Sequence, residues 1–130
     1  MIFGHTDYYR DEFGEGLSRK FLGFSSLITP EKLSEIKVLT NRIEDKFRKE
    51  GRRLINIDPG YLDMAKLVLA STKDFMHRIY LDRGIYAEIT LSYQNKSFRS
   101  FDWTYPDYRS KEYIDIFNEI REAYRQQIEK

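Results

Sequence analysis

The 130-residue sequence predicts an α+β domain in which two long helices pack on a mainly antiparallel sheet. Two observations support this class. Apolar residues recur at helical spacing over residues 30–50 and 111–128, whereas residues 77–101 have the pattern of two consecutive β-hairpins. Because the helix and strand patterns are partly segregated along the chain, α+β is favoured over an alternating α/β fold. The length suits a single domain spanning residues 1–130.

Local signals define the first predicted helix. Thr29 is a suitable N-cap, Pro30 suits the first helical position, and Gly51 is placed to end the helix. We therefore expect a helix over residues 30–50 that buries one apolar stripe. The stripe consists of Leu33, Ile36, Leu39 or Thr40, Ile43 and Phe47.

The second helix is predicted over residues 111–128, with Ser110 as its N-cap. The segment before it, "DWTYPDYRS", is predicted to be a loop because Pro106 disfavours helix. The apolar stripe of this helix consists of Tyr113, Ile116 or Phe117, Ile120, Tyr124 and Ile128.

Three segments precede the hairpins and favour strands. They are "KFLGFSSLI", "RRLINID" and "MAKLVLAS", the last of which is short enough to be a buried strand or a helical turn. Between the second and third, Pro59 and Gly60 suit the central positions of a type II turn, where Gly60 would take a positive φ.

The two hairpins have defined turns. In the first, Asp82, Arg83 and Gly84 suit a three-residue loop with Gly84 in the left-handed region. In the second, Asn95 and Lys96 suit a two-residue turn. The cross-strand pairs that these turns predict are Leu81 with Ile85, Arg78 with Glu88, Tyr80 with Tyr86, and Tyr93 with Phe98.

The composition restricts the function classes. Lys and Arg number 22 and Asp and Glu 21, so the net charge of +1 argues against a dedicated nucleic-acid binder. The absence of cysteine excludes disulfides, cysteine–zinc sites and cysteine nucleophiles. The sequence lacks a membrane-length apolar run and a signal peptide, so a cytoplasmic protein is expected. The high charge content and scarce Asn and Gln are typical of heat-adapted proteins.

No standard catalytic motif is present, so candidate residues are chosen by chemistry. His5 and Asp7 would share one face of an extended segment and could ligate a divalent metal, with His77 and Glu88 completing a ligand set or acting in acid–base chemistry. The alternative is that His5 and Asp7 hydrogen-bond locally while the other two support the sheet.

Other candidates have structural alternatives. An Arg78–Glu88 pair is a weak exposed ion pair unless its sheet face is covered, in which case Glu88 becomes a candidate for a functional role. Asp58 suits a turn or a ligand contact, and the aromatic loop at residues 103–108 suits ring stacking or sealing of the core.

We therefore expect polar segments to converge on one cleft. In this hypothesis the protein is a ligand-binding domain or small enzyme for a phosphorylated or nucleotide-like molecule. The alternative is a non-catalytic scaffold that self-associates. In the proposed cleft His5, His77 and Glu88 serve acid–base or metal chemistry, Lys73 and Arg78 bind the anion, and Asp7, Tyr8, Asp58, Tyr61, Tyr105 and Asp107 contact the ligand.

A family resemblance covers essentially the whole chain. The segments that carry it are "HTDYY", "RRLINIDPGYL", "KLVLASTKD", "HRIYL", "GIYAEITL", "WTYPDYRS" and "EYIDIFNEIR". They resemble an uncharacterised bacterial and archaeal family known only as a domain of unknown function, so the resemblance implies no activity. Two residues depart from the family pattern: Gly4 replaces an acidic residue, and Lys96 replaces the Gly of an Asn-Gly turn.

The resemblance also implies an upstream strand and helix, so this chain would correspond to the C-terminal two-thirds or more of the family pattern. The full order would be similar to a ferredoxin-like core with an added hairpin and C-terminal helix, of which this chain holds an incomplete version. A sheet that lacks a neighbouring strand exposes an edge, and an exposed edge favours a homo-oligomer.

Overall fold

The computed structural model describes residues 7–11 and 18–129 and has the predicted α+β architecture. The helices are α1 (Leu33–Lys46), preceded by a 3-10 turn at Pro30–Lys32, α2 (Pro106–Arg109) and α3 (Lys111–Ile128). The strands are β1 (Asp7–Asp11), β2 (Ser18–Leu22), β3 (Arg48–Lys49), β4 (Arg52–Arg53), β5 (Gly60–Leu62), β6 (Lys66–Ser71), β7 (Arg78–Asp82), β8 (Ile85–Gln94) and β9 (Ser97–Ser100).

The five-stranded main sheet is organised around the long strand β8. One edge of β8 pairs with β6, which in turn pairs with β5. The other edge pairs with β7 along residues 85–88 and with β9 along residues 91–94. Each pairing among the described strands is antiparallel, which confirms the predicted mainly antiparallel sheet.

The two long helices pack on opposite faces of the main sheet, because successive residues of a strand point to opposite sides. On one face Leu67 packs in a core cluster with Tyr113 and Phe117 of α3. On the other face Val68 packs in a cluster with Leu33 of α1. The sheet is therefore the middle layer between the two long helices, and its two faces contribute to separate core clusters.

The hairpin predictions are confirmed with one correction. Arg78 pairs with Glu88, Tyr80 with Tyr86 and Tyr93 with Phe98, and the strand "MAKLVLAS" forms β6. The first loop is shorter than expected, because Asp82 pairs with Ile85 and the register shifts between Tyr80 and Asp82. Arg83 and Gly84 both have positive φ, as a two-residue turn requires.

The prediction for residues 52–60 is wrong in two respects. Of the predicted strand "RRLINID" only Arg52–Arg53 lies in a strand, and the expected type II turn is absent because Gly60 does not take a positive φ. Gly60 begins β5 opposite Leu69, and a Cβ on Gly60 would lie 2.4 Å from the Val68 carbonyl oxygen. Glycine is therefore required at position 60 because the Val68 backbone lies so close. The positive φ that glycine tolerates occurs instead at Gly51 and Gly84.

The first helix ends earlier than predicted, and it buries Leu33 of the predicted stripe together with residues outside that stripe. Helix α1 ends at Lys46, and Gly51 lies in the β3–β4 turn; Thr29 makes no side-chain cap. Lys37 and Glu44 are buried, whereas Leu39 of the predicted stripe is exposed. The cause is a tertiary contact: Glu44 Oε2 accepts a 2.6 Å hydrogen bond from the backbone N–H of Ile57.

Around α3 the structure follows the prediction closely. Ser110 caps α3 by accepting a hydrogen bond from the Tyr113 N–H at 3.2 Å. Pro106 occupies the first turn of the short helix α2, where its missing N–H is tolerated, so the prediction that this segment lacks helix is wrong.

The predicted strand "KFLGFSSLI" is shorter in the structure, because only its first three residues lie in β2.

Candidate functional site

A buried carboxylate lies on the α3 face of the main sheet. Glu88 of β8 pairs with Leu69 of β6 on one side and with Arg78 of β7 on the other. Residues that pair directly share a face of the sheet, so Glu88 and Arg78 lie on the side where Leu69 packs into the α3 core. Glu88 is only 4% exposed, which makes this covered ion pair different from a surface pair.

Three side chains satisfy the Glu88 carboxylate. Its Oε1 atom lies 3.0 Å from His77 Nε2 and also accepts a hydrogen bond from Arg78 Nε at 3.0 Å. Its Oε2 atom accepts a hydrogen bond from Thr90 Oγ1 at 3.1 Å. Because the carboxylate is buried and has these donors, its position and that of the His77 ring are well defined.

Arg78 connects this carboxylate to the segment before β7. Its Nη1 atom donates to Ser71 Oγ and to the Lys73 carbonyl oxygen, each at 3.1 Å, and its guanidinium lies 4.7 Å from the Phe75 ring centroid. The Arg78 side chain is 6% exposed. It therefore acts inside the protein by holding Glu88 and the 71–75 segment together.

Aromatic rings flank His77. Its ring is stacked with Phe75 at 6.0 Å and with Trp103 at 5.3 Å, and Trp103 is stacked on Phe101 at 4.6 Å. The indole Nε1 of Trp103 donates to the Ile89 carbonyl oxygen at 2.8 Å, which fixes the 101–105 loop to β8. Both Phe75 and Trp103 keep an exposed part at the surface.

The hydrogen bond to Glu88 assigns the tautomer of neutral His77. With Nε2 donating its proton to the carboxylate, Nδ1 carries a free lone pair. No hydrogen bond to Nδ1 occurs within residues 18–129. This nitrogen could accept a proton or bind a ligand, while Glu88 orients the ring. We refer to His77, Arg78 and Glu88 as the His77–Glu88 site.

A second polar group lies around the N-terminus of α3. Arg19 of β2 donates to the Tyr113 hydroxyl at 3.0 Å and forms an ion pair with Asp107 at 2.7 Å. Desolvation, the charge of Asp58, and the nearby Tyr113 and Asp107 raise the pKa of the Tyr108 hydroxyl, although Arg19 opposes the shift. Asp58 is thus within electrostatic range of Tyr108.

The model of the domain of unknown function DUF4416 matches residues 1–124. The chain belongs to this family. No curated protein and no solved structure matches the chain. The family description names no reaction, so any assignment of function to this DUF4416 domain has to come from its own side chains.

Among the side chains that the structure describes, no three His, Asp or Glu groups cluster in a way that would hold a metal ion. None of the helices in the described part of the chain has the length and apolar character needed to cross a membrane.

The predicted site residues divide into several locations. Lys73, His77, Arg78 and Glu88 lie together, whereas Asp58 and Asp107 belong to the second polar group. Tyr61 packs with the α1 core on the opposite sheet face, and Tyr105 is exposed at the start of α2. His5 lies outside the described residues, as do the side chains of Asp7 and Tyr8, whose backbones pair with Leu22 and Phe21.

Three residues that contact His77 or Glu88 were not among the predicted site residues: Phe75, Thr90 and Trp103. Thr90 has a sequence signal, because it lies two residues after Glu88 and therefore on the same strand face. Trp103 was recognised only as part of an aromatic loop, and its contact with His77 spans 26 positions of the chain. Phe75 has no sequence signal that distinguishes it from other aromatic residues.

Proposed function

We propose that the His77–Glu88 site belongs to a ligand-binding domain or small enzyme that acts on a phosphorylated or nucleotide-like small molecule. The observation that carries the proposal is the buried Glu88 carboxylate 3.0 Å from His77 Nε2. A carboxylate that orients one ring nitrogen of histidine leaves the other available for proton transfer, the arrangement found in many acid–base centres.

The neighbouring side chains supply the contacts such a ligand needs. The Lys73 backbone bonds to Ser71 and Arg78, but its side chain is exposed and its ammonium group has no partner among the described residues, so that group is available for a phosphate. Trp103 offers a partly exposed ring beside His77 on which a base can stack. Arg78 already donates hydrogen bonds to Glu88, Ser71 and Lys73, so in this proposal it positions those groups and does not bind the ligand.

The second polar group would orient a longer ligand. The Ala70 N–H donates a backbone hydrogen bond to the Pro59 carbonyl oxygen, which continues the antiparallel pairing of β5 with β6 by one residue. If the pairing continues by a further residue, Asp58 lies opposite Ser71, whose hydroxyl accepts a hydrogen bond from Arg78. Asp58 and Asp107 could therefore contact the part of a ligand that extends away from His77. His5 and Asp7 remain our proposed ligands for a divalent metal, and we propose a cytoplasmic location.

A ligand screen tests this proposal. Thermal-shift measurements with nucleotides, phosphosugars, inorganic phosphate and divalent metals should find at least one compound that stabilises the protein. Calorimetric titration of that compound should then show weaker binding to Lys73→Gln and Trp103→Ala. The control Lys49→Gln removes an exposed lysine in β3 and should bind normally. No shift with any compound, or equal losses in the control, would contradict the proposal.

Self-association is a second candidate function, supported by the exposed edge of the main sheet. Strand β7 is an edge strand of the main sheet among the described strands, and its residues Ile79 and Tyr80 are 70% and 56% exposed. An apolar edge strand can pair with a second copy of the chain. Light scattering should then show a dimer that Ile79→Lys converts to a monomer, whereas a stable wild-type monomer would contradict this candidate.

A further inference from the structure

An apolar groove is lined by α1, the segment before it and the β7–β8 turn, whereas the His77–Glu88 site lies on the α3 face of the sheet. It has a volume of about 690 Å³. Its floor is formed by Leu27 and Ile28, from the segment before α1, and by Ile36 and Leu39 of the helix. Leu27 and Leu39 are 56% and 54% exposed, so the groove is an open surface feature and not an enclosed cavity.

The margin of this groove is predominantly cationic. Lys32, Arg42 and Arg83 line it, and Glu35 is the acidic residue among the lining side chains. Arg42 has no hydrogen bond or ion pair with any described residue. Arg83 is brought to the groove by the tight β7–β8 turn, where it has a φ of 55°. Its contact with Asp82 is long, at 3.6 Å, and exposed.

We infer that this groove binds an acidic amphipathic helix of another protein. The apolar floor would bury the apolar stripe of the partner helix, and Arg42 and Arg83 would attract acidic residues beside that stripe. The openness of the groove decides against a small molecule, because small-molecule sites bury most of the ligand surface. Several apolar side chains that share one exposed groove beside charged residues are instead typical of a protein–protein surface.

The size of the groove limits the partner. Arg42 of α1 lies ten positions after Lys32, the residue that caps the start of this helix, which corresponds to about 15 Å along the helix axis. A partner of about 14 residues would span this stripe and extend slightly beyond it. Apolar residues at positions i, i+3, i+4 and i+7 would face the floor, and Glu or Asp residues would flank them.

The test uses the full chain and a synthetic probe. The probe is a fluorescent peptide of about 14 residues with leucines at that helical spacing and glutamates on both flanks; a matched peptide has lysines in place of the glutamates. Fluorescence anisotropy should show saturable binding of the acidic peptide and at least about tenfold weaker binding of the basic one. The affinity should fall as the salt concentration rises.

Paired variants locate the binding surface. Arg42→Glu and Leu39→Glu should each weaken the acidic peptide about tenfold or more. Arg52→Glu and Leu54→Glu place the same changes at exposed positions outside the groove and should leave binding unchanged. Circular dichroism and thermal unfolding establish that each variant is folded, so a loss of binding reports on the surface itself.

Other occupants give distinct results, each of which would overturn the inference. Equal binding of acidic and basic peptides would show that the rim charges do not select the partner. If the protein dimerises and Leu39→Glu makes it monomeric, the occupant is a second copy. Binding to anionic phosphatidylglycerol vesicles that Arg42→Glu abolishes, without binding of the acidic peptide, would assign the groove to a membrane surface.

Discussion

His77 Nε2 lies 3.0 Å from Glu88 Oε1, on the same oxygen that accepts the hydrogen bond from Arg78 Nε. One buried carboxylate therefore serves a titratable ring and a permanent cation. The two partners therefore have different roles: Arg78 neutralises the buried charge, and that charge positions His77.

Glu88→Gln should destabilise the protein by about 3–5 kcal/mol, because it leaves the Arg78 guanidinium buried without a counter-charge. Arg78→Met should also destabilise the protein. The double variant should lose less stability than the sum of the two single variants. Urea unfolding of all four proteins measures this cycle, and additive losses would show that the two residues are independent.

Alanine substitutions at Gly60 and Gly84 should lower stability for two different reasons, close packing at Gly60 and backbone conformation at Gly84. Gly60→Ala should cost about 1–3 kcal/mol or more, since its Cβ would lie 2.4 Å from the Val68 carbonyl oxygen. At Gly84 the space is open and φ is 79°, so Gly84→Ala should cost about 1 kcal/mol through the left-handed backbone alone. Denaturant unfolding compares them, and a larger loss at Gly84 would contradict the β5–β6 packing.

Glu44 should control the order of the irregular segment after β4. Its Oε1 atom contacts Arg53 Nη1 at 3.2 Å, and Oε2 accepts the Ile57 N–H at 2.6 Å. Glu44→Ala should cost about 1–3 kcal/mol by leaving that partly buried N–H without a partner, and should speed amide exchange in residues 54–58. Glu35→Ala, at an exposed position of the same helix, is the control; equal exchange rates in both variants would refute this role.

Tyr108 should make the protein sensitive to alkaline pH. Desolvation, followed by the charge of Asp58, raises its pKa above the ordinary value of 10.0. Above about pH 10 the unfolded chain loses this proton while the folded protein keeps it, so stability should fall as the pH rises. Tyr108→Phe should reduce the slope of unfolding free energy against pH; an unchanged slope between pH 9 and pH 11 (roughly one unit on each side of the ordinary value) would contradict the assignment.

Much of the sheet could be predicted from sequence because hairpins depend on local signals. The turn residues and side-chain alternation were enough to predict the pairs Arg78–Glu88 and Tyr93–Phe98. The face of α1 could not be predicted in this way. Glu44 is buried because it binds the backbone of residue 57, and no periodicity in the helix reveals a partner 13 positions away.

The same distinction holds for the candidate site. The contacts of Glu88 with His77, Arg78 and Thr90 arise within one hairpin, and the first two residues were recognised as candidates. Trp103 reaches His77 only after the chain has passed through β8 and β9. The placement of Tyr61 on the opposite sheet face depends on the β5–β6 register, which the expected Pro59–Gly60 turn would have changed.

The tautomer of His77 tests the central claim most directly. The chain has two histidines, so His5→Gln leaves His77 as the single source of histidine ring signals in a two-bond ¹H–¹⁵N spectrum. We predict that neutral His77 carries its proton on Nε2, with Nδ1 unprotonated, and that adding Glu88→Gln removes this preference. A proton on Nδ1, or a tautomer that Glu88→Gln leaves unchanged, would contradict a His77 ring oriented by Glu88.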